Sequence, residues 1–426
     1  MPRLRAMTLV AAATATLAVA AAGCGSSSSA GKTKTSGSAT AAPTTSLPAG
    51  KCGALTKTPI NLVDITDQTG IPGVPFHQFP DAEGAAVQYV NTNLCGVDGH
   101  PLKLIKCDSK YNPASTAACA NGAVAAKPLP VAEIGLSVFL ITEGSRILHQ
   151  HGLITLNFPT QPQDIEDPDS FPLGGGTEIE FPAQAYFAAT HLHAKHPAAL
   201  LIDSPGAPYE YAEFQAAFRQ AGIQTTVRKV LYPDATLNMT PFAVKAAAGS
   251  DVIMGNTSGP ALNSVYRTLA QQGFSADKTI NASASADAAP LAAAGPAANG
   301  AYFTAEFASP DDTTNPQVKL YRAAMAKYGP SFDARAELSE GGFANVMTLY
   351  GVMKKIGGDR VTAATVSAYF HKTPSIPIFL GASLISKAAS KAAPALRNLA
   401  VTVLQWSGGK FNLVDGGKFF VPPTVR

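Results

Sequence analysis

The sequence is short of charge. Lys, Arg, Asp and Glu together make up 14% of its 426 residues, and the formal net charge is +3. Without a basic stripe it lacks the electrostatic footprint of a nucleic-acid binder. No Cys-x-x-Cys occurs, and the cysteine spacing fits no zinc pattern. The Gly-x-Ser-x-Gly elbow, the Walker-type phosphate loop and the His-Glu-x-x-His helix are also missing, which argues against an enzyme of those classes and calls for no cofactor. His193 and His196 stand three apart with no acid or cysteine nearby, so they read as a solvated helix end rather than a metal pair. Beyond residue 22 no stretch is long and apolar enough to span a bilayer as a helix. What remains is a globular composition, 46% hydrophobic, with chain enough for two sizeable cores.

The first residues are of another kind. Arg3 and Arg5 head a short apolar run from Met7 to Ala22, in the range of a signal-peptide core. The run ends at Ala21-Ala22-Gly23-Cys24, followed by Gly25 and the serines Ser26 to Ser29. This resembles the lipobox of bacterial lipoproteins, in which the cysteine is acylated and becomes the first mature residue. It departs from that pattern at Ala21, where Leu is usual. The rival is cleavage within Ala20-Ala21-Ala22, which would release a free secreted protein. The expectation is a signal peptide over 1–23, a Ser/Thr/Gly/Pro-rich tether over 24–52, and lipidation at Cys24 on the outer face of a bacterial cytoplasmic membrane. Loss of Arg3 and Arg5 would take the net charge from +3 to about +1.

From Pro59 onward, short β-branched runs alternate with helical stretches. Strands are expected at 60–65, 102–106, 131–134 and 153–156, with helices between them; Asp81 is placed to cap the first helix and Pro113 to open the second. The same grammar follows from about residue 180 to Gly273. Helices are then expected over 317–328, 336–355 and 362–370, and a closing hairpin turns at Gly408-Gly409. Strands separated by helical crossovers imply parallel sheets covered on both faces. Trp406 reads as core, and Asp311-Asp312 as a solvated loop.

The strand Ile60–Ile65 followed by Gln68-Thr69-Gly70, the turn Gly96-Val97-Asp98-Gly99-His100-Pro101-Leu102, and the pairs Cys107-Asp108, Asn112-Pro113 and Cys119-Ala120 resemble the type I periplasmic binding proteins, specifically the leucine/isoleucine/valine-binding family of ABC transporters. That resemblance implies an α/β fold of two doubly wound parallel-sheet lobes joined by three crossovers around a cleft. The lobes would be 53–174 plus 308–376, and 175–307 plus 377–426. The crossovers would lie at Phe171–Thr177, Tyr302–Ser309 and Ile376–Ser383, where glycine and proline can absorb hinge motion. Of three possible pairings among Cys52, Cys95, Cys107 and Cys119, this layout favours Cys52–Cys95 and Cys107–Cys119.

Ligands of open α/β sheets bind beyond the carboxyl ends of the strands. In the first lobe those positions are Gln68, Thr69 and Gly70; Ser137, Val138 and Phe139; and Asn157, Phe158, Pro159 and Thr160. In the second they are Ser204, Pro205 and Tyr209; Asn256, Thr257 and Ser258; Ser283; and Glu306 with Phe307. Hydroxyls and backbone N–H groups there would hold a carboxylate, with Phe139, Phe158 and Tyr209 as apolar walls. The sequence departs from the family's amino-acid binders in two places. A single serine, Ser137, stands among bulky neighbours where small hydroxyl residues grip the α-carboxylate, and Asn281-Ala282-Ser283-Ala284-Ser285 holds no acid for the α-ammonium, leaving Glu306 or Asp287 as the substitutes. The resemblance therefore implies a monomeric solute-binding lipoprotein serving an ABC permease, with a ligand more apolar than an amino acid, aromatic or carboxylated. A ligand sensor without a transport role is the alternative.

Overall fold

The computed structural model describes residues 50, 52–70, 74–160, 162–204, 207–233, 236–257, 259–385, 388, 391 and 393–423. The leader, Cys24 and most of the tether lie outside them, as do Pro205 and Ser258. Among the described residues no helix is long and apolar enough to cross a membrane.

Ile60–Thr66 (β1) is buried at every position, the mark of a strand covered on both faces. The chain continues through Gln78–Asn93 (α1), Leu102–Asp108 (β2), Pro113–Ala125 (α2), Ala132–Glu133 (β3), Ser145–His149 (α3) and Ile154–Thr155 (β4). The four strands form an all-parallel sheet in the order β2-β1-β3-β4. Asn112 caps α2, its side chain accepting from the Ser115 N–H at 3.1 Å ahead of Pro113. Asp81 is not a cap: α1 opens three residues earlier, because Pro80 is tolerated in a first helical turn. Asp81 instead faces Lys106 at 3.6 Å.

The second unit comprises Thr177–Thr190 (α4), Pro197–Ile202 (β5), Ala207–Gln220 (α5), Arg228–Tyr232 (β6), Thr240–Ala247 (α6), Val252–Gly255 (β7), Gly259–Gln271 (α7), Thr279–Asn281 (β8), Ala288–Ala294 (α8) and Tyr302–Ala305 (β9). Helices Pro316–Tyr328 (α9), Glu337–Ile356 (α10) and Ala363–Lys372 (α11) then return to the first lobe, where α10 packs along α1. A hairpin, Ser375–Pro377 (β10) with Ser383–Ile385 (β11), precedes Thr402–Ser407 (β12) and Lys410–Leu413 (β13). The second sheet runs β13-β12-β9-β8-β7-β5-β6, antiparallel only at β9-β12-β13. Its closing turn has Gly408 and Gly409 at φ +61° and +74°, the pair of positive values a tight hairpin needs. Trp406 is core, edge-on to Phe411 at 4.9 Å.

Three further expectations fail. Tyr302–Ala305 is a strand of the second sheet, so the second crossover starts only at Glu306. The return expected at Ile376–Ser383 comes later, and the lobe boundary at 376/377 moves with it. Ile376, Ile378, Leu380 and Leu384 all pack in the first lobe's core, and the Ala308 N–H donates to the Leu380 carbonyl at 2.8 Å; burying these side chains holds the hairpin there. Asp311 is no solvated loop residue: it bridges Arg335 (2.6 Å) and Arg322 (3.4 Å) and accepts the Phe411 N–H at 2.9 Å. Both disulfides form as the layout implied, Cys52–Cys95 and Cys107–Cys119.

Candidate functional site

In an open parallel sheet a crevice opens where strand order reverses, because successive crossovers leave in opposite directions. In the first sheet the chain goes from β1 to β2 on one side and returns to β3 on the other. In the second, β5 occupies the same position between β6 and β7. The tips of both reversal points meet at one cavity of about 220 Å³. Leu136 and Val138 follow β3, Ser204 follows β5, Asn256 follows β7, and Ala282 to Ala284 follow β8. Aromatic side chains close it, with Phe76, Phe79, Tyr111 and Phe139 on one side and Phe181 on the other. The volume is below the ~300–1,000 Å³ usual for drug-sized ligands, so it suits a small solute.

The first lobe's polar groups around this cavity are satisfied from within. Asp67, at the tip of β1, is 2% exposed. It accepts from the Ser109 hydroxyl (2.6 Å), the Val138 N–H (2.8 Å), the Tyr111 N–H (3.0 Å) and the Ser137 hydroxyl (3.3 Å). The Asn157 side-chain oxygen takes the Ser137 N–H at 2.8 Å, and the Thr66 hydroxyl takes the Leu136 N–H at 2.9 Å. The Ser137 hydroxyl and the Val138 N–H, expected to grip a ligand carboxylate, therefore already hold a carboxylate of the protein itself.

The second lobe and the crossovers supply buried acids. Glu180, one turn into α4, accepts the Ser283 N–H (2.8 Å) and hydroxyl (2.5 Å), with Thr304 at 3.4 Å. Its burial pushes its carboxyl up to about 7 against those hydrogen bonds. Glu306 accepts the Gly176 N–H at 2.7 Å, and its own N–H donates to Glu337 at 2.5 Å. Burial holds both Glu306 and Glu337 well above the carboxylate range; neighbouring acids add to the effect. Gly174 has no room for a side chain, since a Cβ there would sit 1.7 Å from Glu306 Oε2. Glu210, on α5, is raised to about 7 by burial.

Of the residues expected at the site, the structure brings together Val138, Phe139, Phe158, Thr160, Asn256 and Ser283, with Ser204 and Phe307, as cavity lining. The others stand back. Ser137 and Asn157 form the layer behind Val138. Thr69 is exposed, donating to Asp108 at 2.6 Å, and Gly70 is exposed beside it; Gln68 is half-buried. Tyr209 donates to Glu178 rather than facing the cavity. Thr257 is buried outside the lining, and Glu306 sits at the crossover. The absence of an acid near Ser283 is overturned, because Glu180 reaches it from 103 residues away in the chain. Glu180, Glu210, Glu337, Phe79 and Phe181 went unread because each lies on a helix. Only the acids of Glu178-Ile179-Glu180-Phe181, set in an otherwise apolar helix start, carried a signal.

Comparison with known proteins places this architecture. A family described as periplasmic binding protein matches residues 59–410. A search of curated protein sequences returned no match. Among solved structures, a fatty acid ABC transporter substrate-binding protein from Thermomonospora curvata is 15% identical with a TM-score of 0.70, over 88% of this chain and 95% of its own. A leucine binding protein from Thermotoga maritima is 18% identical with a TM-score of 0.67, over 85% of this chain and 99% of its own. An ABC transporter solute binding protein from R. palustris, in complex with benzoate, is 14% identical with a TM-score of 0.68, over 86% and 98%. The fold is thus shared across proteins of different ligands, and the chain itself belongs to the periplasmic binding protein family.

Proposed function

We propose that this chain is an extracytoplasmic solute-binding lipoprotein that takes a small ligand between its lobes and hands it to an ABC importer. The observation that carries the reading is the cavity itself, built where the reversal points of both sheets converge and lined from both lobes. Similar folds named for leucine, fatty acid and benzoate binding support it. No chemistry on the ligand is involved: binding favours the closed arrangement, and the permease recognises that state. The protein acts as a monomer tethered through Cys24. Residues 53–174 with 308 to about 385 form one lobe, and 175–307 with the last strands form the other. It is related to the amino-acid and amide uptake class, with a ligand more apolar than an amino acid.

Small-angle scattering on the tether-free body, with and without a ligand that raises its melting temperature, tests this. The radius of gyration should fall on binding. Tight binding with an unchanged radius refutes capture by closure.

A further inference from the structure

The first lobe carries a second group of chemistry-bearing side chains, on an open cleft that shares no lining residue with the solute cavity. Ser145, Arg146, His149, Glu166 and Asp167 are among the residues that line it. His149 is the last residue of α3, while Asp167 and Asp169 lie between β4 and the first crossover, which begins at Phe171. The fold brings one donor atom of each of His149, Asp167 and Asp169 within 4.8 Å of the others. His149 Nδ1 and Asp167 Oδ2 are 3.2 Å apart, on side chains only 13% and 16% exposed. One imidazole nitrogen with two carboxylates is a donor set for zinc; calcium and magnesium take oxygen alone.

The surroundings orient these donors. Asp167 Oδ1 accepts the Asp169 N–H at 3.0 Å, which leaves Oδ2 for His149. Asp169 Oδ1 pairs with His371 Nε2 at 2.8 Å, so α11 fixes this carboxylate through one oxygen and leaves the other toward the group. His371 rests edge-on against Phe171, with ring centroids 4.9 Å apart. Outer hydrogen bonds of this kind set the direction of metal-ligating carboxylates. His149 Nε2 has no partner among the described residues, so taking a metal on Nδ1 breaks no second hydrogen bond of the ring. Tetrahedral zinc, with bonds of about 2.0–2.2 Å, needs donors roughly 3.3–3.5 Å apart. His149 and Asp167 already stand close to that spacing, and Asp169, on a turn and 41% exposed, is free to close the rest. Arg146 in the lining and Arg397 over Phe171 oppose a cation, but Glu166, Asp167 and Asp169 outnumber them.

We propose that His149, Asp167 and Asp169 bind one divalent cation of the zinc class, with water completing the tetrahedron. The ion replaces the contact between His149 and Asp167 and pins α3 to the chain that enters the first crossover. Its role is structural, and it is independent of the solute-binding reading.

Equilibrium dialysis of the chelator-treated full chain against micromolar zinc, with bound metal counted by atomic emission, reads the site directly. Wild type should take up one zinc more than H149A or D169N, and D169N keeps an acceptor for His371. H371A, which reaches the metal only through Asp169, should weaken zinc binding about 10- to 100-fold. H151A, two residues beyond the site, should bind as wild type does and so account for zinc held by other histidines. Zinc should raise the melting temperature of wild type and not of H149A, whereas calcium and magnesium should leave both unchanged. An equal zinc count in wild type, H149A and D169N overturns the site. A calcium or magnesium shift as large as that of zinc overturns the metal class. Either result leaves capture of the solute between the lobes untouched, because the two linings have no residue in common.

Discussion

Stability should fall as pH rises from 5 to 8, because the first lobe buries three acids beside one another. Asp64 on β1, Glu83 on α1 and Glu133 on β3 are each fully buried. Burial raises Glu133 to about 8 and Asp64 to about 7, and holds Glu83 well above its usual range; neighbouring acids add to it. Glu133 accepts the Gly135 N–H at 2.7 Å and the Ile65 N–H at 3.3 Å, while neither Glu83 oxygen has a partner among the described residues. The sign follows from which state keeps the proton. Between about 4.5 and 8 the folded protein holds a proton on Glu133 that the unfolded chain has released. The stabilisation is complete below about 4.5 and is lost as pH climbs to 8. For Glu133 alone, about 3.5 pH units at ~1.4 kcal/mol each amount to on the order of 5 kcal/mol, large beside a usual total stability of about 5–15 kcal/mol. Asp64, rising from 3.8 to about 7, contributes on the order of 4 kcal/mol by the same reasoning. The two are not additive, since the Asp64 charge is one of the causes that raise Glu133. Urea unfolding at pH 5, 6, 7 and 8 measures the slope. Glu133→Gln keeps an acceptor for the Gly135 N–H and removes the titrating group, so its stability should decline less steeply, by close to one proton. A wild-type curve that is flat over this range, or parallel curves for wild type and variant, would refute the reasoning.

Two further outcomes follow from named contacts. Replacing Cys52 and Cys95 by alanine should cost about 4 kcal/mol and replacing Cys107 and Cys119 about 3 kcal/mol, since the first bridge closes a span of 43 residues and the second 12; denaturant midpoints in the reverse order would refute the loop-entropy account. Asp67→Ala should lose roughly 3–5 kcal/mol, because four donors lose a charged acceptor. Millimolar formate should raise the melting temperature of that variant and not of the wild type, and a variant indifferent to formate would show that Asp67 does not fill an anion site.

Local patterns made much of this molecule legible. The alternation of apolar runs and helices implied two parallel sheets, since backbone hydrogen bonding and burial leave few other solutions for such a pattern. The hairpin at Gly408-Gly409 and the proline-led α2 were readable because their chemistry is confined to a few adjacent residues. Val138, Phe158 and Asn256 could be expected at the cavity because they stand just past strand ends, where the fold class puts its sites.

Tertiary structure decided the rest. No local pattern says that Asp67 turns inward to take the N–H of Val138 from 71 residues away, or that Glu180 does the same for Ser283. Whether a donor is free for a ligand depends on what the folded chain has brought to it. The side chains of α4, α5 and α10 reach the cavity through packing angles that the sequence does not encode locally, so Glu210 and Glu337 were invisible until the lobes stood together. The segment 378–384 likewise joined the first core because its apolar side chains found space there, not because of anything in its own order. The sequence by itself determined what kind of protein this is; only the packing of two lobes decided the chemistry of the cavity between them, because hydrogen bonds and charges far apart in the chain are paired or left unpaired only when the chain has folded.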